Sequence, residues 1–322
     1  MRALALALLL GSLALATSEQ FLYRFEVAWR LVKDYYYDPD IRGVDWDEVG
    51  RRYRWLVEQA DSWEEVYRLI ERMYEEVDDG HTAFLPPWVG RGFISQAACY
   101  PVPDKRIWQE PVPEVEGEGG EEEAVRFDVA RGRVRDGVLY LRLPNLVTGA
   151  NYGLLKRYLE KYDREVVGYV LDLRGNPGGL AFEMERTAGL FIRGWPWRLV
   201  TRRMGTMPLP TVPFWGEPEA KKPLVVLVDR EVNSAAEGLA GALKNFGRAR
   251  IFGERTAGNT EVVFPFCFPE GAVALVAVGV LAPLKGPTWE GRGVEPDYRV
   301  KPGRALEEAI RFLRREAGES RP

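Results

Sequence analysis

The chain has 322 residues, of which 46% are hydrophobic and 29% charged, and its formal net charge is −4. This composition provides enough apolar side chains for a core and excludes a disordered protein, and the weak acidity argues against nucleic-acid binding through bulk charge. With two cysteines and one histidine, His81, a His-rich or Cys-rich metal cluster is excluded, and we expect neither a metal nor an organic cofactor.

The N-terminus has the features of a secretory signal peptide. Arg2 precedes an apolar run, Ala3–Leu10, which continues weakly to Ala16 and ends in the small residues of Ala14-Leu15-Ala16. The run is too short for a membrane span, and a buried first helix is the alternative. We therefore expect residues 1–16 to be removed, the protein to be exported to the periplasm or the extracellular space, and no stable membrane span to remain.

The two cysteines leave their redox state open. Cys99 and Cys267 could form a disulfide in an oxidising compartment, or they could be two buried thiols.

Residues 17–90 are predicted to form an N-terminal helical domain. Apolar and aromatic side chains recur at helical spacing from residue 20 to residue 77. We expect Tyr35–Pro39 to end the first helix, and either Asp61 or Ser62 to cap the third. The domain ends at a turn-like sequence, Asp79-Gly80-His81-Thr82.

An acidic connection and an α/β domain follow. Residues 91–135 are rich in Pro, Gly and Glu, a composition that cannot bury a core. From residue 136 to residue 318, strands alternate with helices, which predicts a layered α/β domain with a largely parallel sheet. The predicted strands are Gly137–Leu143, Val166–Leu173, Leu224–Asp229, Arg250–Phe252 and Ala272–Val280, and the predicted helices are Tyr152–Tyr162, Phe182–Ile192, Ala235–Phe246 and Arg304–Glu316.

Two turns that follow buried strands can carry chemistry. The turn Arg174–Gly179 is rich in glycine, so its backbone N–H groups could hold a phosphate, a carboxylate or an oxyanion, although it could equally be a structural turn. It matches neither G-x-G-x-x-G nor a Walker A motif, which gives nucleotide binding little support. Ser234 begins a helix of small residues, where it could be a nucleophile or a plain N-cap.

Taken together, several motifs resemble the S41 peptidases, the family of C-terminal processing or tail-specific proteases and the tricorn core protease. The resemblance covers nearly all of the chain after the signal peptide. It implies a crotonase-like layered α/β core with an N-terminal helical cap, and a serine-type endopeptidase acting on protein or peptide substrates. The motifs, in chain order, are Tyr36–Pro39 with Val44–Trp46, Asp79–Thr82, Leu171–Gly179, Ser234–Glu237, Gly253–Gly258 and Gly293–Asp297.

The chain departs from the family pattern in two ways. Family members of the processing type commonly carry a PDZ domain between the cap and the core, but the stretch from residue 93 to residue 135 is too short and too acidic for one. In the Ser-Lys members a lysine follows the Thr-x-Gly turn, and Asn259 occupies that position here. The resemblance therefore implies that a lysine base is missing.

The tricorn-like branch uses a histidine base, and the resemblance carries this role to His81. It implies Ser234 as the nucleophile and Glu290 as the carboxylate that orients His81, with Glu295 as the competing candidate. The oxyanion would be bound by the N–H of Gly178 or Gly179 together with that of Ala235, and Asn259 would position the substrate.

Two other functions remain open from the sequence. A catalytically inactive scaffold of this type could bind peptides or apolar ligands, which the missing lysine favours. A crotonase-like core could also bind a CoA thioester, but export from the cytoplasm argues against that cofactor.

Overall fold

The computed structural model describes residues 2–96, 99–113 and 127–318. The chain divides into two compact units. The first consists of residues 1–124, 201–203 and 263–279, and the second of residues 125–200, 204–262 and 280–322. In the described part of the chain, none of the helices combines the length and the apolar character needed to cross a membrane.

The elements are numbered in chain order. The helices are α1 (Arg2–Tyr35), α2 (Trp46–Glu58), α3 (Trp63–Glu75), α4 (Pro87–Gln96), α5 (Gly149–Tyr162), α6 (Ala181–Gly189), α7 (Ala235–Asn245) and α8 (Pro302–Glu316). The strands are β1 (Ala83–Leu85), β2 (Tyr100–Pro101), β3 (Arg131–Arg135), β4 (Val138–Arg142), β5 (Gly168–Asp172), β6 (Trp197–Thr201), β7 (Gly205–Leu209), β8 (Leu224–Val228), β9 (Ala249–Gly253), β10 (Glu261–Cys267), β11 (Val273–Pro283) and β12 (Tyr298–Arg299).

The first unit is built on the predicted helices α1 to α3. Helix α1 ends at Tyr35, as the sequence predicts, and Ser62 caps α3 by accepting a hydrogen bond from the N–H of Glu65 at 3.2 Å. Asp61 does not cap the helix; its own N–H donates to the Glu65 carboxylate at 3.0 Å. Apolar side chains of the three helices share one core with residues of β1, β10 and β11.

A disulfide crosslinks the first unit. Cys99 and Cys267 are bonded, with their Cα atoms 5.8 Å apart, and Cys267 ends β10, which pairs with β2 in parallel. Strand β1 pairs with β11 in antiparallel fashion. The structure thus resolves the alternative that the sequence left open in favour of the disulfide.

The second unit contains a largely parallel sheet in the order β12-β9-β8-β5-β4-β3, in which all neighbouring strands are parallel except β3 and β4. Four of the five predicted strands, β4, β5, β8 and β9, lie in it, whereas the fifth, β11, belongs to another sheet. Strand β3 lies inside the segment predicted to be an exposed connection. Four of its five residues are exposed at the sheet edge, so it lacks the alternating apolar pattern by which a strand is recognised.

Helices cover both faces of this sheet. Alternate residues of each central strand point to opposite faces: Leu171 and Val226 join the core formed with α5, α6 and α7, whereas Val170 and Val225 pack with α8. Because β5 and β8 are parallel neighbours, with Asp172 opposite Leu227, the turns that follow them leave the sheet at the same edge. These are the two turns in which the sequence predicts chemistry.

Candidate active site

Ser234 occupies the turn between β8 and α7 in a strained backbone conformation. Its φ is 51° and its ψ is −125°, a region that L-residues other than glycine rarely adopt. The serine precedes α7, but its side chain makes no capping hydrogen bond. The hydroxyl is therefore not used to cap the helix, which removes the plain N-cap interpretation. Its backbone N–H donates to the carbonyl oxygen of Asn259 at 2.9 Å.

The Gly-rich turn after β5 lies directly against Ser234. Gly178 has a φ of +98°, and a Cβ atom at this position would be 2.8 Å from the Cβ of Ser234 and 3.0 Å from the backbone nitrogen of Ala235. Only a glycine allows so close an approach of the two turns.

Asn176, a residue that the sequence analysis did not single out, holds the two turns together. It is fully buried, and its side-chain amide donates to the carbonyl oxygen of Leu143 at 2.9 Å. Its backbone carbonyl accepts the N–H of Asn233 at 3.0 Å, and its side-chain oxygen accepts the N–H of Gly178 at 2.9 Å. The Asn-Pro-Gly-Gly sequence indicates a turn, but it does not indicate that the asparagine also bonds to the turn that contains Ser234.

This arrangement distinguishes between the two glycines proposed as oxyanion donors. The N–H of Gly178 is already bonded to Asn176. Among the described residues, the N–H groups of Gly179 and Ala235 donate no hydrogen bond to another residue of the chain. N–H groups without a partner can stabilise a developing negative charge when they point at it, so Gly179 and Ala235 are the better oxyanion candidates.

Glu237 anchors the turn that contains Asn259. It is fully buried in α7 and accepts hydrogen bonds from the N–H of Gly258 at 2.7 Å, from the N–H of Asn259 at 2.8 Å and from the hydroxyl of Thr256. Burial raises the pKa of the Glu237 carboxyl, and these donors oppose the shift. Since Asn259 in turn accepts the Ser234 N–H, Glu237 fixes the position of Ser234 from within the same helix.

Asn259 also brings a side-chain oxygen to the site. Its Oδ1 is buried and accepts no hydrogen bond from the described part of the chain, and the same is true of Oδ1 of Asn233. A buried acceptor without a partner is costly, so both oxygens leave hydrogen-bonding capacity unused in the turns around Ser234.

The two candidate glutamates have different surroundings. Glu290 accepts hydrogen bonds from the N–H of Thr260 at 2.5 Å and from the Thr260 hydroxyl at 3.2 Å. Thr260 is the residue that follows Asn259 in the chain. Burial, and to a lesser extent the nearby carboxylate of Glu261, raises the pKa of Glu290. Glu295 instead pairs on the surface with Arg255 at 3.2 Å and Arg299 at 2.9 Å.

His81 lies in the first unit, in a turn held by Asp79. Oδ1 of this aspartate accepts the N–H groups of His81 at 2.8 Å and Thr82 at 2.6 Å, and its Oδ2 accepts the Thr82 hydroxyl at 2.6 Å. Asp79 thus shapes the turn, and the imidazole of His81 is half-buried. The catalytic role of His81 stays a prediction.

A metal centre has no counterpart in the described residues, where no group of three or more His, Cys, Asp or Glu side chains is placed to hold an ion.

Two family models match the chain. Residues 137–300, about half of the sequence, match Peptidase family S41, and residues 17–75 match the Tricorn protease C1 domain. These matches correspond to the α/β core and to the helical region before it.

Curated relatives and a solved structure agree with these matches. The carboxyl-terminal-processing protease of Picosynechococcus sp. is 35% identical over 139 residues, which cover 43% of this chain and 33% of that protein. The carboxy-terminal processing protease CtpA of Bacillus subtilis is 32% identical over 137 residues, 42% of this chain and 28% of that protein. The matched region thus spans about a third of each relative. A photosystem II D1 C-terminal processing protease shares the fold, with a TM-score of 0.66 at 22% identity over 91% of this chain and 97% of that one.

Proposed function

Because the chain belongs to peptidase family S41, we propose that it is a serine peptidase that hydrolyses peptide bonds in protein substrates through an acyl-enzyme on Ser234. The observation that carries this proposal is the local geometry of Ser234. The residue has a strained backbone, its hydroxyl does not cap α7, and it packs directly against Gly178 of the Gly-rich turn. The N–H groups of the next residue in each turn, Gly179 and Ala235, are not bonded to any described residue.

The proposed reaction uses His81 as the base. Neutral imidazole, with an ordinary pKa near ~6.5, takes the Ser234 proton as the hydroxyl oxygen attacks the scissile carbonyl carbon. The N–H groups of Gly179 and Ala235 donate to the oxyanion, a contribution of about 3 kcal/mol each when aimed at the developing charge. As the intermediate collapses, imidazolium gives the proton to the leaving amine. Water, deprotonated in the same way, then hydrolyses the acyl-enzyme.

Three further polar groups support this mechanism. Glu290 is proposed to stabilise the imidazolium, and its bonds to Thr260 hold it beside the turn that bears Asn259. Asn259 occupies the position that the resemblance gives to the family lysine, and it is proposed to position the substrate by donating a hydrogen bond near the nucleophile. Gly178 acts by its small size rather than as an oxyanion donor, because its N–H is bonded to Asn176.

A fluorophosphonate probe tests the nucleophile directly. We expect the wild-type protein to be labelled and Ser234→Ala not to be. Ser95→Ala is the matched control, because Ser95 is an exposed serine whose hydroxyl donates to the carbonyl of Gly92. If the wild type is neither labelled nor able to cleave an unfolded protein, the peptidase proposal fails, and tryptophan quenching by peptides or apolar ligands would then favour the inactive binding scaffold.

The role of the base has its own test. His81→Ala should abolish turnover while circular dichroism and the unfolding temperature stay those of the wild type. In the wild type, kcat/KM should rise with pH through the pKa of the free base, because only neutral imidazole accepts the proton. Retained activity in His81→Ala would show that another base operates.

We also propose that the protein is exported. The charged and apolar pattern of residues 1–16 supports cleavage before Thr17, and the Cys99–Cys267 disulfide suits an oxidising compartment. Fractionation of the producing cells should recover the protein outside the cytoplasm, and mass spectrometry of that protein should find Thr17 at the N-terminus. An uncleaved chain in the cytoplasmic fraction would refute this.

A further inference from the structure

A basic cleft lies at the carboxyl ends of the parallel strands in the second unit's sheet, where the Gly-rich turn and the Ser234 turn also leave the sheet. Its volume is about 750 Å³, and its wall includes Gly253 at the end of β9, Arg299 in β12 and Arg230 just after β8. Strands β8, β9 and β12 are parallel, so their carboxyl ends share one edge of the sheet. Ser234 follows β8 at that same edge, the usual place for ligands in sheets of this kind.

The charges around the cleft do not balance. Five exposed cations line it, and among the residues that the structure describes, two carboxylates contact them: Glu254 lies 3.8 Å from Arg230, and Glu295 pairs with both Arg255 and Arg299. Within the described residues, the two remaining cations, Arg292 and Lys301, have no ion pair. The cleft thus carries a surplus of positive charge on a chain whose formal net charge is −4. Such a local field attracts anions.

The turn that contains Asn259 links the cleft to the candidate active site. Ala257 lines the cleft, and two residues further on, the carbonyl of Asn259 accepts the Ser234 N–H. Gly291, which also lines the cleft, donates its N–H to the carbonyl of Gly258 at 2.7 Å. The Ser234 nitrogen is 2.9 Å from the carbonyl oxygen of Asn259, and Ala257 lies two residues away, at most about 7 Å along the chain. An extended peptide advances about 3.4 Å per residue, so a chain bound at Ser234 would span this distance in about three residues.

We propose that this cleft binds carboxylates of the peptide substrate and so favours segments with acidic groups within about three residues of the scissile bond. The inference rests on the proposed peptidase function, which supplies the peptide. Carboxylates can come from Asp and Glu side chains or from the C-terminus of a peptide, and both present the same anionic group to Arg292 and Lys301. One exposed ion pair changes an affinity by up to about fivefold, and several surplus cations in one cleft should raise the affinity by at least that factor.

Peptide binding to the Ser234→Ala protein tests this without turnover. Three fluorescent peptides of one length are compared by anisotropy: one with Glu residues and an amidated C-terminus, one with Gln in their place and the same amide, and the Gln peptide with a free C-terminus. The Glu peptide should bind at least fivefold tighter than the amidated Gln peptide. This ratio should fall toward one at about 0.5 M salt, where charges are screened beyond a few ångströms. A gain for the free C-terminus alone would identify the terminal carboxylate as the ligand.

A pair of charge reversals assigns the effect to the cleft. Arg292→Glu with Lys301→Glu should reduce the Glu-to-Gln affinity ratio about tenfold. Arg157→Glu with Arg164→Glu reverses two exposed cations of the same unit outside the cleft and should keep the ratio. If the double variant in the cleft does not fold, the salt dependence of the Ser234→Ala protein still decides.

The inference fails if the Glu and Gln peptides bind equally, or if the control pair lowers the ratio as much as the cleft pair. This outcome is separate from failure of the peptidase proposal, which is judged by serine-probe labelling of the wild type. If acidic peptides bind but the probe does not label the wild type, the cleft still binds carboxylates, and the proposed hydrolysis is refuted.

Discussion

Replacing Gly178 with alanine tests the close approach of the two turns at the candidate active site. Gly178 has a φ of +98°, where an L-residue costs about 1–2 kcal/mol of backbone strain. The added methyl group would also lie 2.8 Å from the Cβ of Ser234 and 2.9 Å from the carbonyl oxygen of Asn233. Since carbon atoms in contact prefer about 3.5–4.0 Å, the Ser234 turn must move by up to about 1 Å.

A matched control separates strain from displacement. Gly137, in the turn between β3 and β4, has a φ of +73°, and a Cβ atom there would meet no other atom within 4 Å. Gly137→Ala therefore carries the same kind of backbone strain but moves nothing at the site. Each kilocalorie per mole lost should lower the unfolding temperature by about 2–4 °C in a unit of this size.

The two variants should differ in reactivity far more than in stability. A shift of about 1 Å at a catalytic group can cost about a hundredfold in rate, so Gly178→Ala should react about a hundredfold more slowly with the fluorophosphonate probe, whereas Gly137→Ala should react like the wild type. Stopped-time labelling and thermal unfolding measure the two effects separately. Equal labelling rates for the two folded variants would refute the argument that Gly178 controls the position of Ser234.

Three other predictions concern a buried glutamate, the two candidate glutamates of the site and the disulfide. Burial raises the pKa of Glu185 from its ordinary value of 4.5 to about 7; the folded state then holds the proton more tightly, so stability present at low pH should be lost as pH rises from about 4.5 to about 7. In urea unfolding, the free energy of unfolding of Glu185→Gln should fall less with pH over this range than that of the wild type. An identical pH dependence in the two proteins would contradict burial of Glu185 as the cause. Glu290→Gln should slow probe labelling far more than Glu295→Gln, because it weakens the acceptor that holds Thr260; the reverse order would assign the role to Glu295. Replacing Cys99 and Cys267 with serine should lower the free energy of unfolding by about 2–4 kcal/mol in denaturant titrations, and an unchanged value would show that the crosslink adds no stability.

Local patterns in the sequence predicted most of the architecture. Helical spacing indicated α2 and α3, and apolar runs bounded by turns indicated β5 and β8, because burying one face or both faces leaves a period in the sequence. Seven strands of the structure have no counterpart among the predicted ones, namely β1, β2, β3, β6, β7, β10 and β12. Strand β3 is an exposed edge strand rich in arginine, and β7 is also largely exposed, so neither carries a buried face that a pattern could record.

The sequence by itself determined the fold class, the family and the serine at the head of α7, since these depend on short motifs and on periods within single elements. Only the tertiary structure decided what each group at the site is free to do. It showed that Asn176 occupies the N–H of Gly178, that Glu237 holds the turn of Asn259, and that cations from three separate strand ends line one cleft. These relations join residues far apart in the chain, and contacts of that kind impose no local spacing that a single sequence can reveal.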